Sequence, residues 1–372
     1  MSKKILALAL VAILALTAFT GCGQPAPAPA PAPAPGGDSS ASAPAPEKEL
    51  YISVVAKGFQ HQFWQVVKQG SEQAAADLGI KMYFTGPEGE SAQSAQVDMI
   101  NSELAKNPAA MCLAALNTEA VLSQLKEAQD KKIPVIGFDS GVPNAPAGQI
   151  AANASTNNDN AAALGAEKMF EAIKDKVAAA TAANPVTISI LSQDATSASI
   201  QGRTRGFAVK MAELAKGVNK GEVSIAGGYK DINAGDATKA AVKIDVVIGA
   251  TPDITDMTNA ANGLLNTKNL LGVFCSNEGA VNGLLAAVNA GSKIPEGVKV
   301  VGFDAGSGQK SAVKGGIFMG SITQDPFSIG YKAVEMAVKA AKGEAVADID
   351  TGAKWYDATN MDQPDIANLL YD

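Results

Sequence analysis

VIGFDSG (135–141) and VVGFDAG (300–306) are nearly the same heptapeptide, written once in each half of the chain. In both, an apolar run meets Gly-Phe-Asp. A short continuous apolar run reads as a strand buried on both faces, and the aspartate marks where the chain leaves the sheet. The echo extends upstream. LNTEAV (116–121) and SNEGAV (276–281) each follow another apolar run and open a helical segment, with Asn117 and Asn277 in matching places. The order strand, Asn, helix, strand, Phe-Asp therefore occurs twice. Such a repeat implies two similar α/β lobes with parallel sheets flanked by helices.

The rest of the chain fits that frame. Strand candidates fall at 50–55, 81–84, 110–115, 134–138, 186–191, 222–225, 271–275, 299–303 and 317–322. Between them lie Ala-, Lys- and Glu-rich stretches with helical spacing, such as 65–78, 91–106, 120–131 and 161–176. Strands alternating with helices of this length make βαβ units. The folded part, residues 48–372, is too long for one core and suits two domains. Residues 241–256, AVKIDVVIGATPDITD, read as an insertion.

The N-terminus indicates export. Lys3 and Lys4 precede an apolar stretch over 5–19, and Phe19-Thr20-Gly21-Cys22 follows. The stretch is shorter than the roughly 20 residues of a membrane span and suits a signal peptide. Residues 1–22 resemble a lipoprotein signal ending at the lipidated Cys22. Residues 23–47 alternate Pro and Ala and cannot build a core. They form an extended, disordered tether whose Pro-Ala run reaches about 35 Å. The protein is thus expected outside the cytoplasmic membrane, lipid-anchored at its outer face and otherwise free of it. The formal charge is −7, or −9 without Lys3 and Lys4, so nucleic acid is not an expected partner. Cys112 and Cys275 lie in apolar strand-like runs and are expected as buried free thiols.

Ligands of open parallel sheets bind beyond the carboxyl ends of the strands. Asp139, Asp304, Asn117 and Asn277 occupy such ends, and so does AKGFQHQFWQVV (56–67). That segment holds His61, the only histidine of the chain, and Trp64, one of two tryptophans. Carboxylates, amides and an ammonium meet hydroxyls that both donate and accept, while rings cover apolar C–H faces. Asp139, Asp304, Asn277, Gln324, Lys57, His61, Phe63 and Trp64 supply that set for a polyhydroxylated ring. Phe63 and Trp64 serve either as stacking faces or as core of the first helix. Arg203 and Arg205 are the only arginines beside 28 lysines. A planar guanidinium fork differs from an ammonium, and one of the two is expected to reach the cleft or support its wall.

Catalytic and metal readings fail on the residues. His61 has no second histidine to join it as a metal ligand. GFDSG is not a nucleophile elbow, GSGQKS (306–311) misses the phosphate-loop pattern, and DINAGD (231–236) lacks the closing glutamate of a calcium loop. No cofactor, metal or enzymatic activity is expected.

The span 49–370 resembles the sugar-class solute-binding proteins of ABC transporters, of the ribose- and galactose-binding type. The motifs that carry the likeness are KGFQHQFW, GPE.ES, IPVIGFDSG, QDATS…GRTRGF, NEGAV, VVGFDAG and ITQDP. The resemblance implies two Rossmann-like lobes joined by a three-segment hinge, crossing near 154–158, 323–326 and 351–354. The N-terminal lobe would then comprise 48–155 plus 325–352, and the C-terminal lobe 156–324 plus 353–372. It implies ligand contacts from Lys57, His61, Phe63, Trp64 and Asp139 on one side, and from Gln201 or Arg203, Asn277 and Asp304 on the other, with Gln324 at a crossing. Gln201 stands where ribose binders often carry an arginine, and Ala234-Gly235 where they present a ring, for which Tyr229 is the candidate replacement. The implied role is a monomeric receptor that captures a monosaccharide or small polyol and passes it to a membrane permease. A receptor for a furanose-type autoinducer on the same fold is the alternative.

Overall fold

The computed structural model describes residues 50–372, so the signal segment, Cys22 and the Pro/Ala tether lie outside the described residues. Residues Lys48–Asp372 form one compact unit. In chain order the first lobe builds β1 (Tyr51–Val55), α1 (Gln62–Leu78), β2 (Lys81–Thr85), α2 (Gln93–Ala105), β3 (Ala110–Leu113), α3 (Leu122–Asp130), β4 (Val135–Phe138) and β5 (Ala152–Ser155). The second lobe follows with α4 (Asn158–Ala179), β6 (Val186–Ser192), α5 (Ala198–Val218), β7 (Val223–Gly227), β8 (Val242–Ile248) and α6 (Ile254–Leu265). It continues through β9 (Leu270–Cys275), α7 (Glu278–Asn289), β10 (Lys299–Phe303), α8 (Ser307–Lys314) and β11 (Gly320–Gln324). The chain returns to the first lobe for α9 (Pro326–Ala341) and β12 (Ile349–Asp350), then ends with β13 (Ala353–Tyr356) and α10 (Pro364–Ala367).

Two sheets result. The six-stranded sheet runs β12-β5-β4-β3-β1-β2 and the seven-stranded sheet β13-β11-β10-β9-β6-β8-β7. Every pairing is parallel except that of β11 with β13. Strands β1, β3 and β4 are covered on both faces by helices, which is why they read as unbroken apolar runs. Strand order reverses between β1 and β3 in one sheet and between β6 and β9 in the other. Those reversals splay the following loops apart and open a crevice at each sheet edge.

Helix α1 shows how sequence spacing becomes packing. Phe63, Trp64, Val67, Gly70, Ser71, Ala74 and Ala75 recur at helical intervals and are buried, and Gly79 ends the helix in the left-handed region at φ 63°. Its partner α9 lies unusually near. A Cβ on Gly70 would land on the Phe327 carbonyl, and one on Gly330 on the Val67 carbonyl. The two glycines let the helix backbones touch, and this pair anchors α9 to the first lobe.

The segment 241–256, read from the sequence as an insertion, carries regular structure that the strand candidates did not include. Its first half is β8, paired along its length with β6 and, over five residues, with β7. Val242, Ile244 and Val246 are buried in alternation with more exposed neighbours, the pattern of a strand with two unlike faces. The four-residue β5, ANAS, also went unpredicted, because it is too polar to announce itself as a strand. Cys112 and Cys275 are free and buried, as expected.

Candidate functional site

The repeated Gly-Phe-Asp motif sets the site. Asp139 and Asp304 leave β4 and β10 in the left-handed region, at φ 49° and 78°, which aspartate tolerates better than most residues. Each N–H still completes the ladder, Asp139 to the Ala154 carbonyl at 3.1 Å and Asp304 to that of Ile322 at 2.7 Å. A serine of the next strand donates to each aspartate's own carbonyl, Ser155 at 2.7 Å and Ser321 at 3.1 Å. The turn thus aims both carboxylates out of their sheets and toward each other across the lobes.

Between them lies a narrow chamber of about 20 Å³, room for about one water molecule and well below the roughly 300–1,000 Å³ usual for small-molecule pockets. Lys57, His61, Phe63, Trp64, Asp139, Arg203, Asn277, Asp304 and Gln324 line it, joined by Glu90, Ser199, Ile200 and Glu278. None of these is more than 6% exposed. Gln201 is not among them. Its amide donates to the Ala195 carbonyl at 3.2 Å, and it lines a separate surface pocket with Asn117, the other strand-end residue left outside the chamber. Tyr229 is buried against Ser192 and the Asp194 carbonyl and does not reach the chamber wall.

The first wall is a charged network. Lys57 lies 3.1 Å from Glu90 Oε2 and donates to Ser197 Oγ at 3.4 Å. Glu90 also accepts from Trp64 Nε1 and Gln193 Nε2, each at 2.7 Å. Burial opposes charge on Glu90, but Lys57, His61 and the two donors outweigh it and hold the carboxyl at about 2. Burial likewise opposes charge on Lys57, and Glu90, Asp194 and Asp139 more than offset it, so its ammonium is held above the ordinary lysine value. Trp64 meets Phe138 and Phe63 edge to face, with ring centroids 6.2 and 5.0 Å away. It is core and chamber wall at once.

The tautomer of His61 follows from its neighbour. Gln60 Oε1 accepts the Glu90 N–H at 3.1 Å, which turns the Gln60 amide nitrogen toward His61 Nε2, 2.9 Å away. In the neutral ring that nitrogen accepts, and the proton sits on Nδ1; in the charged ring Nδ1 carries a proton as well. His61 Nδ1 is buried and has no partner among the described residues.

The second wall holds Arg203. It is buried over the Phe303 ring, 3.9 Å from its centroid, and its Nε donates to Asn158 Oδ1 at 2.7 Å. Its two terminal nitrogens lie 3.7 Å from Asp139 and 3.6 Å from Asp304. Asp304 is further held by the Glu278 N–H at 2.9 Å and Gln324 Nε2 at 2.7 Å, and Gln324 Oε1 is buried without a partner among the described residues. Asn277 caps α7 through the Ala280 N–H at 3.0 Å and donates to Gln193 at 2.7 Å. Asp139 differs from Asp304: among the described residues no donor lies within hydrogen-bonding distance of its carboxylate. Burial raises it to about 6, against the pull of Lys57 and Arg203, with Asp304 and Glu90 adding to the rise.

Four carboxylates thus face two cations in this chamber. Glu90 and Glu278 are the acidic residues that the sequence reading left out. Glu90 sits in the glycine-rich turn after β2, a strand-end position, and that position was the available signal. Glu278 directly follows Asn277 at the start of α7. Among the described residues no group of His, Cys, Asp or Glu is arranged to hold a metal ion.

Comparison with known proteins agrees with this architecture. Residues 52–345 match the family described as periplasmic binding protein domain. The D-allose-binding periplasmic protein of Escherichia coli is 24% identical over 305 residues, covering 80% of this chain and 86% of that protein. A Brachyspira murdochii structure described as an ABC transporter, LacI family transcriptional regulator is 42% identical, with a TM-score of 0.72, and spans 87% of this chain and 99% of its own. A carbohydrate transporter solute-binding protein of Agrobacterium radiobacter in complex with D-arabinose is 26% identical, with a TM-score of 0.71, over 87% of this chain and 99% of that one. Two parallel sheets, their carboxyl edges closed on one polar chamber, and a match over most of the folded part place this chain in the periplasmic binding protein domain family, with the type I fold.

Proposed function

We propose that this chain is the solute-capturing component of an ABC importer, and that it closes on a monosaccharide or similar small polyol and delivers it to a permease. One observation carries the reading. The polar chamber between the lobes keeps a buried donor, His61 Nδ1, and a buried acceptor, Gln324 Oε1, without partners among the described residues, beside an Asp139 carboxylate whose nearest cation, Arg203, stays 3.7 Å away. Buried polar atoms are seldom left without partners, and a hydroxylated ring supplies donors and acceptors to all three. Asp139 belongs to one lobe and Asp304, Asn277 and Arg203 to the other, so the solute completes its bonds only when the lobes meet. Relatives named for D-allose, ribose and D-arabinose support this substrate class over a furanose signal.

The solute leaves unchanged in this reading, and the chain acts as a monomer without catalysis. It is exported, and Cys22 carries the lipid that holds it to the membrane while residues 23–47 space it outward. A thermal-shift screen of residues 48–372 against pentoses, hexoses, inositols and furanose signals tests the central claim. Saturating solute raises the melting temperature. No shift from any small polyol would sink the sugar reading. Recovery of an altered sugar after incubation would show an enzyme instead.

A further inference from the structure

Helices α1 and α8 start at the cleft from opposite lobes, and neither is capped from within. His61, at the N-cap of α1, makes no capping bond, and the first turn carries no acidic residue. Helix α8 begins at Gly306, which has no side chain to offer, and its first turn carries none either. The free N–H groups of a helix start need acceptors from elsewhere. Here the opposite lobe supplies them. Glu278 Oε1 accepts the Gln62 N–H at 3.0 Å and Oε2 the Phe63 N–H at 3.2 Å. In return Gln62 Oε1 accepts the Ser307 N–H at 2.8 Å.

Gly306 is where these groups interlock. A Cβ there would lie 2.8 Å from Gln62 Oε1 and 3.1 Å from Glu278 Oε1. A buried carboxylate on two backbone N–H groups, at the positive end of a 17-residue helix, is a favourable arrangement. None of these bonds involves a solute, and each needs both lobes. We propose that Glu278 and Gln62 form a reciprocal helix-capping latch that sets how far the empty protein closes and how long it keeps its solute. The latch rests on the two-lobe capture reading and adds positioning residues to it.

Glu278 lines the chamber, so its removal alone would confuse latch with solute contact; Gln62 and Gly306 do not line it. Gly306 has φ −62° and ψ 164°, open to any residue, so alanine there tests space and not backbone. Small-angle scattering of residues 48–372 without sugar should give a larger radius of gyration for Gln62→Ala, Gly306→Ala and Glu278→Ala than for wild type. With whichever of D-ribose, D-allose or D-arabinose raises the wild-type melting temperature, dissociation should quicken roughly tenfold with association little changed. Identical sugar-free scattering for wild type, Gln62→Ala and Gly306→Ala overturns the latch. Because that reading needs no sugar, it stands apart from the outcome of the sugar screen.

Discussion

Asp139 and Asp304 are the same residue of a repeated motif, yet their neighbours give them different work. Asp304 is filled by the Glu278 N–H and Gln324 and acts as a fixed part of the wall. Asp139 faces the chamber unfilled and is raised to about 6 by burial, with Asp304 and Glu90 adding to the rise against Lys57 and Arg203. A carboxyl raised in the folded state stabilises it below the ordinary value and loses that contribution as pH rises through about 6. The sugar-free protein should therefore gain thermal stability from Asp139 between pH 7.5 and 5, and Asp139→Asn should lack this gain. At pH 8 the same substitution should raise the melting temperature by a few degrees and remove the sugar-induced shift. Sugar affinity should weaken as pH falls through the same window, since a protonated carboxyl accepts fewer bonds; calorimetry across that range checks it. Glu90, held at about 2, stays charged throughout. Its pairing with Lys57 is structural: Glu90→Ala strands a buried ammonium and should cost roughly 3–5 kcal/mol in urea unfolding. Lys57→Met with Glu90→Leu should recover most of that loss. A single substitution that leaves stability unchanged would mean the pair is hydrated.

At the scale of elements, the strands covered on both faces were legible because burial demands unbroken apolar residues, and the repeated heptapeptide located two of them. Strand β8 was not legible. Its register alternates buried and half-buried residues, and Asp245 and Lys243 interrupt the apolar run. Only its pairing between β6 and β7 makes it a strand. Ile244 is fully buried there, so Ile244→Ala should cost about 2–5 kcal/mol, as for a core position. A loss under about 0.5 kcal/mol, usual for surface substitutions, would mean that β8 does not pack into the core. The turns after the strands followed the same division. Asn277 and Asn117 match in sequence, but only α7 starts at the chamber, and Asn117 bonds Gln93 and its own turn instead.

At the scale of the molecule, closure is a contest between lobe-bridging bonds and the freedom of the hinge. Cys112 and Cys275 sit in strands β3 and β9, one per lobe, fully buried, and burial pushes both thiols well above their ordinary value. A thiol reagent should label neither in the native protein and both after unfolding, and saturating sugar should slow labelling in mild urea. Fast native labelling of Cys275 alone would reveal independent opening of the second lobe. The sequence by itself determined the α/β alternation, the duplication into two lobes and most of the chamber residues, because buried strands and strand-end polar residues leave local, periodic signals. The tertiary structure decided the rest. It brought Glu90 and Glu278 to the wall, left Gln201 and Asn117 outside, made β8 a strand and capped two helices from opposite lobes. Each of those outcomes depends on residues far apart in the chain meeting in space, and no local pattern encodes such a meeting.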